Sequence, residues 1–190
     1  MAITDYNSLI EAVGEYTLRY DMPVAMFVGL AESKFRPVIS HYNQDKTVVL
    51  PIVGGKITLP ADFLEAQFIR VNDYETRQIS LQGGERYADE VTYVQVGNTY
   101  EFDGPADISR AKLIYRAAIP ALTADAPTNW LIHKFPEVYL HAVLGRAYRW
   151  LKDMESFGLE EQSFKEAVAL VALDDIKGRS TANIASYGGA

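Results

Sequence analysis

A chain of 190 residues is bounded to about one domain, or one domain with an insertion, and can bury a core without disulfide or metal staples. It has no cysteine, so disulfides and Cys-based zinc sites are excluded. Its formal charge of −7, with no basic run, argues against a protein that wraps nucleic acid by neutralising phosphates. Residues Met1-Ala2-Ile3-Thr4-Asp5 contain no basic stretch before an apolar run, so no signal peptide is expected. No apolar segment approaches the roughly 20 residues that span a bilayer.

Residues 4–20 carry Leu9, Ile10, Val13 and Tyr16 at helical spacing, with Thr4 or Asp5 placed to cap the helix. Gly14 weakens that helix by about 1 kcal/mol relative to Ala. Pro23 suits the first turn of a second helix through Met26, Phe27, Leu30, Ala31 and Phe35, and Pro37 should end or bend it.

From about residue 45 the pattern alternates. Thr47–Leu50, Lys56–Leu59, Gln67–Val71, Val91–Val96, Thr99–Phe102 and Lys112–Arg116 read as strands. Gly54-Gly55, Asn72-Asp73, Gly83-Gly84 and Gly97-Asn98 supply turns between them. Connections this short predict antiparallel pairing. Helical spacing returns at Asn129–Lys134, continues from Pro136 to Leu151, breaks over Met154–Gly158, and resumes from Phe164 to Ile176. The expected fold class is α+β. A helical bundle (1–44 and 121–176) holds an inserted, mostly antiparallel β subdomain (45–120) and ends in a flexible, extended tail (177–190).

A search for chemistry gives little. No Gly-rich phosphate loop, Gly-x-Ser-x-Gly elbow or Cys nucleophile is present. His133, Glu137 and His141 are spaced i, i+4, i+8, but Pro136 interrupts the helix that would align them as metal ligands. The acidic pairs Asp89-Glu90, Glu160-Glu161 and Asp174-Asp175 are adjacent residues. The two helical pairs point apart and read as a solvated face. No catalytic residue, cofactor or metal is therefore expected. The 12% aromatic content, with Tyr87, Tyr93, Tyr100, Tyr115, Tyr139 and Tyr148 among it, suits a core or a protein–protein interface.

Four stretches carry a resemblance. The first is Tyr6-x-x-Leu9-Ile10 with Tyr20-Asp21 and Phe27-Val28-x-Leu30-Ala31-Glu32. The second is Ile57-Thr58-Leu59-Pro60-Ala61-Asp62-Phe63-Leu64-Glu65. The third is Leu113-Ile114-Tyr115 followed by Ile119-Pro120-Ala121-Leu122. The fourth is Thr128-Asn129-Trp130-Leu131-Ile132 with Pro136-Glu137-Val138-Tyr139-Leu140-His141-Ala142. In this order and frame the chain resembles the phage head–tail connector adaptors, the portal-docking adaptors of tailed phages and gene-transfer agents.

That resemblance implies a non-enzymatic virion protein, made in the host cytoplasm, with no membrane contact. It implies a ring, usually dodecameric, that joins the portal protein to a tail or nozzle protein and surrounds the DNA channel without sequence-specific binding. It also implies a C-terminal segment reaching toward the portal. Within 177–190 the candidates for that docking are Lys177, Arg179, Ile184 and Tyr187, the bases and the sizeable apolar anchors of the tail. Competing readings are another portal-associated or tail-completion protein, a small virion-associated hydrolase, and a binding module unrelated to phage.

Overall fold

The computed structural model describes residues 2–72, 74–80 and 90–187. The expected Gly83-Gly84 turn, Tyr87, Asp73, Asp89 and the last three residues lie outside these. The chain divides into two compact units, one formed by residues up to Asn43 together with those from Ile119 onward, the other by Gln44–Ala118.

The first unit is helical: α1 (Tyr6–Thr17), α2 (Val24–Phe35), α3 (Trp130–Lys134), α4 (Pro136–Leu151) and α5 (Met154–Tyr187). Asp5 caps α1 reciprocally with Ser8. Its Oδ1 accepts the Ser8 N–H at 2.8 Å, and Ser8 Oγ accepts the Asp5 N–H at 3.0 Å. Tyr6, Leu9, Ala12 and Val13 face the core. At Gly14 a Cβ would lie 2.5 Å from the ring of Tyr20, an exposed side chain that would have to shift to admit it. The helix ends at Leu18, whose backbone is left-handed (φ 53°). In α2 the buried face is Val24, Phe27, Val28, Ala31, Glu32 and Phe35, which leaves Met26 and Leu30 exposed.

Asn129 caps α3 by accepting the N–H groups of Leu131 and Ile132, and Pro136 opens α4 at a position where its missing N–H costs nothing. The interruption after α4 is at Lys152 (φ 62°) and Asp153, so Met154–Gly158 is helical, contrary to the break expected there. Asp153 accounts for the restart: its carboxylate accepts the Ser156 N–H and Oγ–H at 3.1 and 2.7 Å.

A buried polar chain holds this unit together. Glu32, 4% exposed, accepts the Tyr139 hydroxyl at 2.9 Å and the Leu122 N–H at 2.8 Å on Oε1, and Arg36 at 2.8 Å on Oε2. Asn129 Nδ2 donates to the Tyr139 oxygen at 2.7 Å and to Pro120 O at 2.8 Å. Burial beside a carboxylate pushes the Tyr139 phenol far above its ordinary pKa, so it serves here as a hydrogen-bonding hydroxyl at every accessible pH.

Among its described residues the second unit is a seven-stranded sheet of β1 (Asp45–Pro51), β2 (Lys56–Thr58), β3 (Phe63–Val71), β4 (Tyr74–Gln78), β5 (Val91–Val96), β6 (Thr99–Asp103) and β7 (Arg110–Ala117). The strand order is β1-β7-β3-β4-β5-β6-β2. Ala111, Leu113, Tyr115 and Ala117 of β7 alternate into a core with Ile57, Ile69, Val71, Val91 and Tyr100. Gly54 (φ 58°) and Gly55 (φ 75°) make the tight turn before β2, and Gly97 (φ 58°) makes the β5–β6 hairpin.

The sheet is mixed and mostly antiparallel, with β4 and β5 running parallel. β3 carries two register shifts, and its ladder to β4 covers only Arg70–Glu75 and Val71–Tyr74. The Thr76 hydroxyl then donates to Ile69 O at 2.6 Å where the ladder stops. The aromatic residues mostly build cores: Tyr100, Tyr115 and Tyr139 are buried.

The Tyr139 hydroxyl bridges two buried polar groups, so Tyr139→Phe leaves Asn129 Nδ2 short of one acceptor and Glu32 Oε1 short of one donor. The expected cost is about 1–3 kcal/mol, read as a lower denaturant midpoint with an unchanged slope. An unchanged midpoint would show that the chain of bonds contributes nothing net.

Candidate functional site

The C-terminal helix carries the residues expected to dock, and its conformation differs from expectation. Residues 177–187 continue α5 instead of forming an extended tail. At Gly178 a Cβ would lie 2.3 Å from Tyr42 Cε1. The glycine admits an aromatic ring against the helix. Arg179 Nε pairs with Asp175 at 3.0 Å one turn back, and Ser180 Oγ donates to Ile176 O at 2.8 Å. Lys177 is exposed on the same helix. Ile184 and Tyr187 also fall within it, and their side chains lie outside the described part of the structure.

Three side chains, His41, Tyr42 and Lys134, clamp α5 near its C-terminal third. Asp174 Oδ2 accepts from Lys134 Nζ at 2.5 Å, His41 Nε2 at 2.9 Å and the Tyr42 hydroxyl at 3.2 Å. The Asn43 N–H donates to His41 Nδ1 at 3.1 Å, so Nδ1 is the acceptor and Nε2 bears the proton given to Asp174. Asp175 Oδ1 accepts the Tyr42 N–H at 2.7 Å. His41 is fully buried, stacked 4.8 Å from Trp130 with Phe135 at its edge.

Nearer its start, α5 is held by Glu160 to His141 Nδ1 at 2.7 Å and by Glu161 to Lys34 Nζ at 2.5 Å. The acidic pairs expected to form a solvated face are therefore engaged: Glu160 and Glu161 divide between His141 and Lys34, and Asp174 and Asp175 both reach Tyr42, with Lys134 and His41 on Asp174 and Arg179 on Asp175. Adjacent helical positions point about 100° apart, which lets one pair grip two neighbours. Of Asp89-Glu90, Glu90 pairs with Arg77.

His133 and Glu137 are exposed, while His141 turns to Glu160. Among the described residues no three His, Asp or Glu form a metal-holding group, and no helix is long and apolar enough to cross a membrane. The face of α5 opposite the clamp is apolar: Leu159, Leu170, Leu173 and Ile176 are half to two-thirds exposed. Beside it runs a shallow hollow of about 240 Å³.

Sequence reading missed His41, Tyr42 and Lys134. They lie 40 or more residues away in the chain from the Asp174 they hold, so no local spacing could reveal them.

Two measurements test the clamp. Helix propensity alone makes Gly178→Ala stabilising by about 1 kcal/mol. The tethered Tyr42 ring reverses the sign, so the substitution lowers the melting temperature in the wild-type background and raises it in Tyr42→Ala, a coupling that a double-mutant cycle reads. The Lys134 and His41 bonds hold the Asp174 carboxyl at about 2, below its ordinary 3.8. A depressed folded-state pKa contributes stability that is present above about pH 4 and lost as pH falls toward 2. Asp174→Asn therefore lowers the melting temperature at neutral pH, and the gap to wild type closes between about pH 4 and pH 2. A gap that stays constant through that window would contradict the assignment.

Comparison with curated proteins gives no match. Comparison with protein families matches residues 4–186 to the SU10 adaptor protein family. The matched span takes in both structural units, from the Asp5 cap to the clamped helix α5. The chain therefore belongs to the SU10 adaptor protein family, the phage head–tail adaptors, and is a structural component of the virion.

Proposed function

We propose that copies of this chain assemble into a closed ring, dodecameric by the family resemblance, that docks beneath the portal protein and receives a tail or nozzle protein. DNA passes through the ring without sequence-specific contact, and the chain performs no catalysis. The observation that carries this reading is the family match over residues 4–186. The acidic balance is compatible with a conduit that does not grip DNA, because like charge repels phosphates.

The C-terminal end of α5 is the portal-docking element in this reading. Ile184 and Tyr187 supply apolar anchors, and Lys177 and Arg179 meet acidic groups on the portal. Arg179, 41% exposed, exchanges Asp175 for the new partner, and Asp175, 17% exposed, keeps the Tyr42 N–H as a donor. Synthesis takes place in the host cytoplasm, where a cysteine-free chain needs no oxidising step.

Negative-stain microscopy and mass photometry of the purified chain with purified portal test the reading. Closed rings of one copy number seated on portal are expected. A chain that stays monomeric and fails to bind portal would overturn it. Deletion after Ser180 spares Gly178 and Arg179, so it leaves the melting temperature nearly unchanged while weakening co-sedimentation with portal. Equal co-sedimentation of the shortened and intact chains would remove the docking role from Ile184 and Tyr187. His133→Ala and Glu137→Ala are expected to leave ring assembly intact.

A further inference from the structure

We infer, resting on the portal-docking reading above, that the clamp is a coupling device. Seating of the α5 tip on the portal and ordering of His41-Tyr42-Asn43, the connector through which the chain leaves the helical unit, strengthen each other.

The connector directly precedes Gln44, where the sheet unit begins. Its own regular structure is a single 3₁₀ turn, Tyr42–Gln44, too short to hold its backbone without outside partners. Side chains supply them. The Tyr42 N–H donates to Asp175 Oδ1 at 2.7 Å, and the Asn43 N–H donates to His41 Nδ1 at 3.1 Å. His41 Nε2 is tied in turn to Asp174 at 2.9 Å. Both amides therefore trace, one directly and one through an imidazole, to adjacent carboxylates of α5.

The helix depends on the same contacts. The Tyr42 ring lies against the α5 backbone at Gly178, where a Cβ would stand 2.3 Å from it. The next bonds toward the tip, Arg179 Nε to Asp175 at 3.0 Å and Ser180 Oγ to Ile176 O at 2.8 Å, run along the helix itself. They are lost if the turn that the ring and the two carboxylates hold unwinds. Helix ends open with small free energies unless tertiary contacts hold them.

The two ends open together for a structural reason. Asp174 Oδ2 is shared by Lys134 of α3 and by His41 and Tyr42 of the connector. His41 is fully buried and stacked on Trp130, so the connector loosens only by carrying the imidazole off that ring. Asp174 and Lys134 are each about one-third exposed, so water can take up the bonds that opening releases. A partner that binds only the helical tip depletes the open form, and the connector orders with it. Reciprocally, a connector already in place raises the share of chains ready to bind.

Amide exchange of the full-length chain, alone and with purified portal, tests the coupling. In the isolated chain Asp174→Asn should speed exchange about tenfold at Tyr42 and Asn43 and at residues 177–180 together. Gly178→Ala, which displaces the ring and keeps both carboxylates, should also speed the connector, although alanine is the better helix former. Portal should slow exchange at residues 41–43 of the wild type about fivefold, and Asp174→Asn should show no such slowing and bind portal about fivefold more weakly. Portal that binds the wild type without slowing the connector, or that slows it equally in Asp174→Asn, would overturn the coupling. So would exchange that rises at one end only in the isolated variants. A portal that fails to bind the wild type would instead overturn the docking reading, and the isolated-chain comparison would still decide whether the two ends are coupled.

Discussion

The helical unit depends on a carboxylate that is almost fully removed from water. Glu32 would be costly to bury alone, and it is held by three donors: a tyrosine hydroxyl, a backbone amide and a guanidinium. Those donors come from α4, from the segment that follows β7, and from Arg36, the residue that caps the end of α2. The chain leaves the helical unit after α2 and returns some 75 residues later at Ile119. The Leu122 amide on Glu32 and Pro120 O on Asn129 fix where it returns. A hydrophobic contact could not specify that position so narrowly, because burial is non-directional and hydrogen bonds are not.

From this anchored return the rest of the unit follows. Asn129 uses its amide to reach Tyr139 and Pro120, and its carbonyl oxygen to cap α3. Capping α3 sets Trp130 and Lys134, which in turn reach His41 and Asp174 and hold α5. One chain of directional contacts thus runs from the middle of α2 to the helix that the proposed function places against the portal. The hydrophobic core supplies the driving force, and the polar chain supplies the register.

The α+β class and most elements were legible in the sequence, because a change of period from 3.6 to 2 and back is a local signal. The four stretches that carried the family resemblance contain Glu32, Pro120, Leu122, Asn129 and Tyr139, the members of the buried polar chain apart from Arg36. The errors share one cause. Residues 177–190 read as a tail until the Tyr42 ring is placed against Gly178, and Met154–Gly158 reads as a break until Asp153 is recognised as a cap. β4 is five residues of mixed polarity, and its parallel partner cannot be inferred from connection length. In each case the deciding partner was a side chain or strand that local pattern does not name.

The first and last residues of the sheet unit are latched to each other. Asp45 stands opposite Arg116 in an antiparallel pair, where Cα atoms lie about 5 Å apart, and the buried Gln44 side chain donates to Ala117 O at 3.1 Å. A segment whose ends meet in this way adds little closure entropy to the chain that hosts it. It behaves as a cassette: its interior can lengthen, shorten or be exchanged between chains while the splice points stay in register. Selection on whatever the sheet contacts can therefore proceed without disturbing the helices, and recombination at these two junctions would yield folded chimaeras.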